Sequence, residues 1–135
     1  MLASFLNHCF DEYGLKSYSA ESAGMVEREE VVPATGEAIA VMREQCLDIA
    51  IHRSCSLSQV DLPSYDVIYA LSADVYQHLL SLELPEAQVI LLQPEVANPW
   101  QKGLKEYRMC RDQILTFANE VAMDIVYSHQ EVVAK

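Results

Sequence analysis

Apolar residues recur at helical spacing in three parts of the chain. The first part predicts a helix from Met1 to Tyr13, and Gly14 ends it because glycine readily adopts the left-handed conformation that follows helix C-termini. A second helix is predicted after Pro33-Ala34-Thr35, and a long one from about Gln101 to at least Val126. The positions spaced for burial on the second helix are Ala38, Ile39, Val41, Met42 and Cys46. Those of the long helix are Leu104, Tyr107, Ile114, Phe117, Val121 and Ile125.

Short apolar runs alternate with these helices. Weak alternation over Ser17–Ser22 predicts a short strand, and the runs Val67–Leu71 and Val89–Leu92 are typical of strands buried on both faces. A helix from about Ala73 to Leu82 separates the last two strands. This alternation predicts one α/β domain over residues 1–135, with a parallel sheet covered by helices on both faces.

The charge balance limits the classes of partner. Twenty acidic residues against nine basic ones give a net charge of −11, which repels nucleic acid and anionic lipid surfaces. An anionic substrate also fits poorly, unless one local pocket reverses the field. No apolar stretch is long enough to span a membrane, and no secretory signal opens the sequence. We therefore expect a cytoplasmic protein that binds neither nucleic acid nor membrane.

The four cysteines offer no metal or cofactor site. No Cys-x-x-Cys pair is present, and no Cys/His cluster has the spacing of a zinc site. Cys9 and Cys110 fall on apolar helical stripes, so we expect both to be reduced, buried thiols. Cys46 and Cys55 bracket a loop and are harder to place, although helical spacing favours burial of Cys46.

Five segments, in order along the chain, resemble the low-molecular-weight protein tyrosine phosphatase family. They are Ser22-Ala23-Gly24, the Ile-x-x-His-Arg-Ser element over Ile49–Ser54, the strand motif Tyr65–Leu71, Asn98-Pro99-Trp100 and the closing helix Tyr107–Ala122. The resemblance covers about residues 1–122 and leaves 123–135 as a helical tail. It implies a flavodoxin-like, doubly wound parallel sheet of four strands.

The resemblance also implies a mechanism that acts on phosphotyrosine proteins. In the family, a first strand ends in a phosphate-binding loop of cysteine, five residues and arginine. The cysteine thiolate attacks phosphorus, and an aspartate from an Asp-Pro loop protonates the leaving group and then activates water. The family needs no metal or cofactor for this chemistry.

Two departures from the family affect that chemistry directly. Met1–Leu6 resembles the helix that follows the phosphate-binding loop, and the sequence has no first central strand or loop before it. No cysteine elsewhere is followed by arginine at the required spacing. Asn98 occupies the general-acid position, where an amide has no titrating proton to donate; losing acid catalysis typically lowers the rate by a factor of about 100 to 10,000.

Four other positions match the family. Ser22 and His52 correspond to side chains that hydrogen-bond behind the phosphate-binding loop, and Pro99 and Trp100 to the rim of the substrate cleft. Taken singly, Ser22 is a turn serine, His52 a surface histidine and Trp100 a residue packed on the last helix. The joint occurrence of Ser22 and His52 inside the matched framework favours the loop-support interpretation for these two residues.

Two functions remain open. The chain is either a phosphatase-family domain that is inactive as written or a pseudophosphatase that binds a partner without catalysis. Asn98 favours the second function, whereas the presence of Ser22 and His52 favours the first. The absent strand would leave an open slot in the sheet. We therefore expect either a natural protein that begins upstream of Met1 or self-association through the slot.

Overall fold

The computed structural model describes residues 1–24, 33–53, 55–84 and 88–134, with side chains as far as Tyr127. Four helices and two strands follow one another in the described chain. They are α1 (Leu2–Glu12), α2 (Gly36–Arg43), β1 (Ile68–Ala70), α3 (Ala73–Leu80), β2 (Val89–Leu91) and α4 (Leu104–Ala134). Two 3-10 turns, Leu57–Gln59 and Leu62–Ser64, precede β1.

The described strands form one parallel pair. Ile68 lies opposite Val89 and Ala70 opposite Leu91, and the Leu92 N–H donates to the Ala70 carbonyl at 3.0 Å. Because successive residues of a strand direct their backbone groups to opposite edges, those of Tyr69 face away from β2. Within the described ranges no strand pairs with that edge. The α/β class with a parallel sheet is thus confirmed, and the missing central strand stays a prediction.

Two apolar cores hold the elements together. The larger lies between α1, α2 and α4, where Phe5, Val41 and Met42 are almost completely buried. The smaller core packs α3 against the sheet through Leu79, Ala70 and Val89. The predicted core thiols Cys9 and Cys110 are both buried in the larger cluster, which confirms them.

The start and end of α1 follow the sequence prediction. Gly14 has φ +68°, and the Leu15 N–H donates to the Phe10 carbonyl at 2.8 Å, which is the bond of a glycine-terminated helix. The long helix extends through the tail as far as Ala134, but it begins at Leu104 rather than near Gln101. Leu104, predicted to face inward, is 42% exposed because it lies in the first turn of the helix.

The strand predicted over Ser17–Ser22 does not form. The side-chain amide of Asn7 on α1 donates to the Ala20 carbonyl at 2.9 Å, and its oxygen accepts from the Ala20 N–H at 2.9 Å. These bonds take the place of a strand ladder at Ala20. Further along the segment, an isolated parallel bridge joins Gly24 to Ser56.

The predicted burial of Cys46 is also wrong. Helix α2 ends at Arg43, and Cys46 adopts φ +60° in the turn that follows. The Leu47 N–H donates to the Met42 carbonyl at 3.1 Å across this turn. Cys46 therefore occupies the left-handed position usually taken by glycine after a helix, and its side chain is exposed.

Candidate functional site

Two of the positions singled out in the sequence lie around the start of α1. The Met1 amino group interacts electrostatically with His52 and with Cys110 of α4. Cys110 in turn lines a cavity together with Asn98. These interactions connect the start of α1 with His52 and with Cys110, and Cys110 shares its cavity with Asn98.

His52 follows a short turn after α2. Its N–H donates to the Ile49 carbonyl at 3.0 Å, and its side chain is exposed. Partial burial lowers the pKa of His52, and the positive charges of the Met1 amino group and Arg53 lower it further. The neutral imidazole is thus favoured, and it has no hydrogen bond to another described residue. Ser54, the last residue of the matched element, lies outside the described residues.

Arg53 does not offer a substitute for the family's phosphate-binding arginine. Its Nη1 donates to the carbonyls of Ala50 at 3.1 Å and His52 at 2.8 Å. The guanidinium therefore closes its own turn through backbone carbonyls.

Ser22 lies in the exposed segment between α1 and the Gly24 bridge. Its hydroxyl makes no hydrogen bond to a described residue, and the side chain is exposed. Exposure matters because an unsatisfied hydroxyl costs about 1–3 kcal/mol only when it is buried. Within the described residues, no buried side-chain nitrogen or oxygen lacks a partner.

Asn98 organises the turn that precedes α4. Its Oδ1 accepts a hydrogen bond from the Trp100 N–H at 3.0 Å, and the Lys102 N–H donates to the Pro99 carbonyl at 3.0 Å. This is the local bond by which asparagine and aspartate side chains stabilise turns. The turn leaves the indole of Trp100 58% exposed, so Trp100 is not packed into the core.

A cavity of about 140 Å³ lies between this turn and α4. Its walls are residues 97–99 on one side and Lys102, Glu106, Met109, Cys110 and Gln113 on the other. The helical residues fall on one face of α4 because they are three or four positions apart. The cavity thus places Asn98 and Pro99 beside a mixed wall in which Met109 and Cys110 are apolar and Lys102, Glu106 and Gln113 are polar.

The loop before Asn98 is fixed at several points that sequence reasoning did not identify. The Gln113 side chain donates to the carbonyls of Pro94 at 2.9 Å and Glu95 at 3.1 Å. The Val96 N–H donates to the Leu71 carbonyl at 2.8 Å, and Glu95 accepts from the N–H of Ala73 at the start of α3. A polar Gln113 beside the buried Ile114 on α4 was the sequence signal for this anchor.

A second missed group lies where α2 ends against α4. Arg111 is 7% exposed and donates to the Val41 carbonyl at 3.0 Å and to the carboxylates of Glu44 and Asp112. Arg108 also bonds Glu44, with its Nη2 at 2.8 Å. Bonds from the two arginines lower the pKa of Glu44 to about 2. This cluster joins the end of α2 to α4, and both of its arginines are paired with carboxylates of the chain.

The two buried thiols are poor nucleophiles. Burial raises the pKa of Cys9 and Cys110, so both favour the protonated form. Cys46 is exposed after α2, and Cys55 is half-buried with its thiol directed to the Ser56 carbonyl. Among the described residues, no group of histidine, cysteine and carboxylate side chains could hold a metal ion. In the same part of the chain, no helix is long and apolar enough to cross a membrane.

Solved structures share this architecture. A low molecular weight protein tyrosine phosphatase from T. tengcongensis has 23% sequence identity and a TM-score of 0.83, over 91% of this chain and 88% of that one. An arginine phosphatase from Geobacillus stearothermophilus has 20% identity and a TM-score of 0.80, over 96% and 88% of the two chains. Wzb from Vibrio vulnificus, solved with benzylphosphonate, has 19% identity and a TM-score of 0.80, over 91% and 87%.

Comparison at the level of sequence extends over nearly the whole chain. No curated protein sequence matches it. Residues 1–131, however, match the profile of the family described as low molecular weight phosphotyrosine protein phosphatase. The match includes both the Ser22 and His52 segments and the turn at Asn98. The chain therefore belongs to the low molecular weight phosphotyrosine protein phosphatase family.

Proposed function

We propose that this chain is a phosphatase-family domain that does not itself hydrolyse phosphotyrosine. The observation that carries the proposal is chemical: none of the four cysteines is followed by arginine after five residues. The thiols at Cys9 and Cys110 are buried and held protonated, and Arg53 and Arg111 are bound to other groups of the chain. Cysteinyl-phosphate chemistry needs both a thiolate and a cation that binds phosphate.

Asn98 supports the same proposal because its amide cannot act as the general acid. Its amide oxygen accepts from the Trp100 N–H, a role that an aspartate would fill equally well. The turn therefore does not require asparagine, and the lost carboxyl group removes a proton donor without a structural gain. Family members hydrolyse phosphate esters with a nucleophilic thiolate and a general acid. Without the thiolate site and the acid, we expect a cytoplasmic domain that binds its ligand and does not hydrolyse it.

Turnover of para-nitrophenyl phosphate, a phosphotyrosine peptide and a phosphoarginine peptide tests the proposal. Phosphoarginine is included because an arginine phosphatase shares the fold. We expect no phosphate release above a buffer blank from the purified chain. The variant Asn98→Asp restores the acid without a nucleophile, so it should also be inactive. Turnover that disappears when the thiols are alkylated would contradict the proposal.

A second candidate function is binding of a protein partner by a pseudophosphatase. The specific observation in its favour is the exposure of large apolar side chains next to the Asn98 turn, since Trp100 is 58% and Met109 59% exposed. Aromatic residues and methionine are enriched at protein interfaces. This function and the absence of hydrolysis are compatible, and a phosphotyrosine protein is one ligand that both would allow.

A further inference from the structure

The first turns of α4 and the turn before them form a surface of mixed apolar and basic character. We call it the basic–apolar patch and define it by Pro99, Trp100, Lys102, Lys105 and Met109. Trp100 and Met109 are each more than half exposed, and both lysines are exposed. Lys105 and Met109 are four residues apart on α4, which makes them neighbours on the helix surface.

The cavity beside the patch has the size of a side chain. At about 140 Å³, it is comparable with engineered protein cavities of roughly 150 Å³ that bind benzene. Met109 and Pro99 contribute apolar walls, and Lys102 and Glu106 lie at its edge. One aliphatic or aromatic side chain of a partner could therefore be accommodated next to the lysines.

Basic residues are concentrated in the part of the sequence that contains this patch. Residues 102–111 contain four basic residues and one acidic residue, whereas the rest of the chain has five basic and nineteen acidic residues. Arg108 and Arg111 are bound to Glu44. Lys102 and Lys105, by contrast, form no ion pair with any described residue. Lys102, which lines the cavity, and Lys105, one helical turn before the lining residue Met109, are thus available for pairing in a protein that is otherwise strongly acidic.

We propose that the basic–apolar patch docks an acidic peptide segment of a partner protein. An apolar side chain of the segment enters the cavity, and carboxylates on either side of it pair with Lys102 and Lys105. The inference rests on the partner-binding function proposed above and adds the chemistry of the partner. Glu106, which also lines the cavity, opposes an acidic ligand and sets a limit on affinity.

Trp100 provides the readout, because it is the one tryptophan of the chain. The probe is a short capped peptide of glutamates that flank a central leucine, titrated while indole fluorescence is recorded at low salt. We expect a saturable change that weakens as salt rises, since exposed ion pairs are screened. The same peptide with alanine for leucine should bind less tightly, and a lysine-for-glutamate peptide should give no saturable change.

Charge variants separate the patch from the overall field of the protein. The double variant Lys102→Glu, Lys105→Glu should weaken binding about tenfold, because it removes two exposed ion pairs with the peptide and adds repulsion. Glu106→Gln should strengthen it. The matched control Lys16→Glu alters net charge by the same amount per site but lies in the turn after α1. Circular dichroism of each variant establishes that the fold is retained.

Three outcomes would overturn the docking proposal. Equal weakening by Lys16→Glu and by Lys102→Glu alone would mean that net charge, not the patch, attracts the peptide. Equal binding of the leucine and alanine peptides would mean that the cavity is not used. A dimer in sedimentation that dissociates on Lys102→Glu would identify a second copy as the occupant. Phosphate release from para-nitrophenyl phosphate by the same protein preparations, in a separate assay, would instead contradict the absence of hydrolysis and leave the docking result standing.

Discussion

Arg111 is a cation that the fold encloses between α2 and α4. Its side chain is 8% exposed, against 48% for Arg108, although both bond Glu44. Replacing Arg111 with methionine keeps much of its volume but leaves the Val41 carbonyl without that donor and Glu44 with one arginine. We expect a loss of about 1–3 kcal/mol in the free energy of unfolding, measured by urea denaturation at neutral pH.

Arg108→Met is the matched control for that prediction. It removes an exposed partner of the same carboxylate, and exposed ion pairs contribute about 0–1 kcal/mol. The difference between the two variants thus isolates the effect of burial. Equal losses would contradict the view that enclosure of Arg111 determines its contribution.

Glu44 should make the free energy of unfolding depend on pH in the acid range. The two arginines lower the pKa of Glu44 to about 2 in the folded chain, below the ordinary glutamate value of 4.5. A depressed folded-state pKa contributes stability above the unfolded value and loses it as pH falls towards the folded value. Urea denaturation of Glu44→Gln should therefore show a deficit at pH 7 that shrinks between about pH 4.5 and 2. The exposed Glu120→Gln on α4 should show no such trend.

Single residues were predictable where a local pattern determines their position. Cys9 and Cys110 lie on apolar helical stripes, and both are buried as expected. Cys46 was placed wrongly because α2 ends three residues before it, and helical periodicity does not reveal a left-handed residue. The pairing of Glu44 with Arg111 joins residues far apart in sequence, so only the fold could show it.

At the scale of elements, Asn7 determines how α1 holds the segment after it. Its amide makes two hydrogen bonds to the backbone of Ala20, in a partly buried place. Asn7→Ala should lower the free energy of unfolding by about 1–3 kcal/mol, because each bond contributes about 0.5–1.5 kcal/mol. Faster hydrogen exchange at the Ala20 amide would report the lost bond directly.

His8→Ala tests whether that effect belongs to Asn7. His8 is the neighbouring residue on α1, it is exposed, and its contact with Glu12 is a surface pair. It should change stability by less than about 0.5 kcal/mol and leave exchange at Ala20 unaltered. Unchanged exchange in Asn7→Ala would mean that the segment is held by other contacts.

Helices were predicted more reliably than strands. The stripe of α1 and the glycine at its end specify both limits of that helix. The strands β1 and β2 are only three residues long, so their apolar runs locate the strands but do not fix the residues at which each begins and ends. The Ser17–Ser22 strand failed because its pairing partner would be supplied by tertiary structure, and Asn7 bonds the backbone there instead.

At the scale of the whole molecule, order of elements and resemblance together predicted the family and the α/β architecture, and both are confirmed. The site was less predictable. The contacts by which Gln113 of α4 fixes the loop before Asn98 join side chain to backbone carbonyls and leave no periodic pattern in the sequence. Roles for Ser22, His52, Pro99 and Trp100, and self-association through the Tyr69 edge, stay predictions.

The most direct test of the central claim is a search for the cysteinyl-phosphate that the family's reaction requires. The purified chain is mixed with para-nitrophenyl phosphate, quenched in acid and weighed intact by mass spectrometry, beside a catalytically complete member of the family. We predict that the mass of this chain stays unchanged while the complete phosphatase gains one phosphoryl group. A phosphorylated cysteine in this chain would contradict the account, because it would demonstrate a working nucleophile and phosphate site.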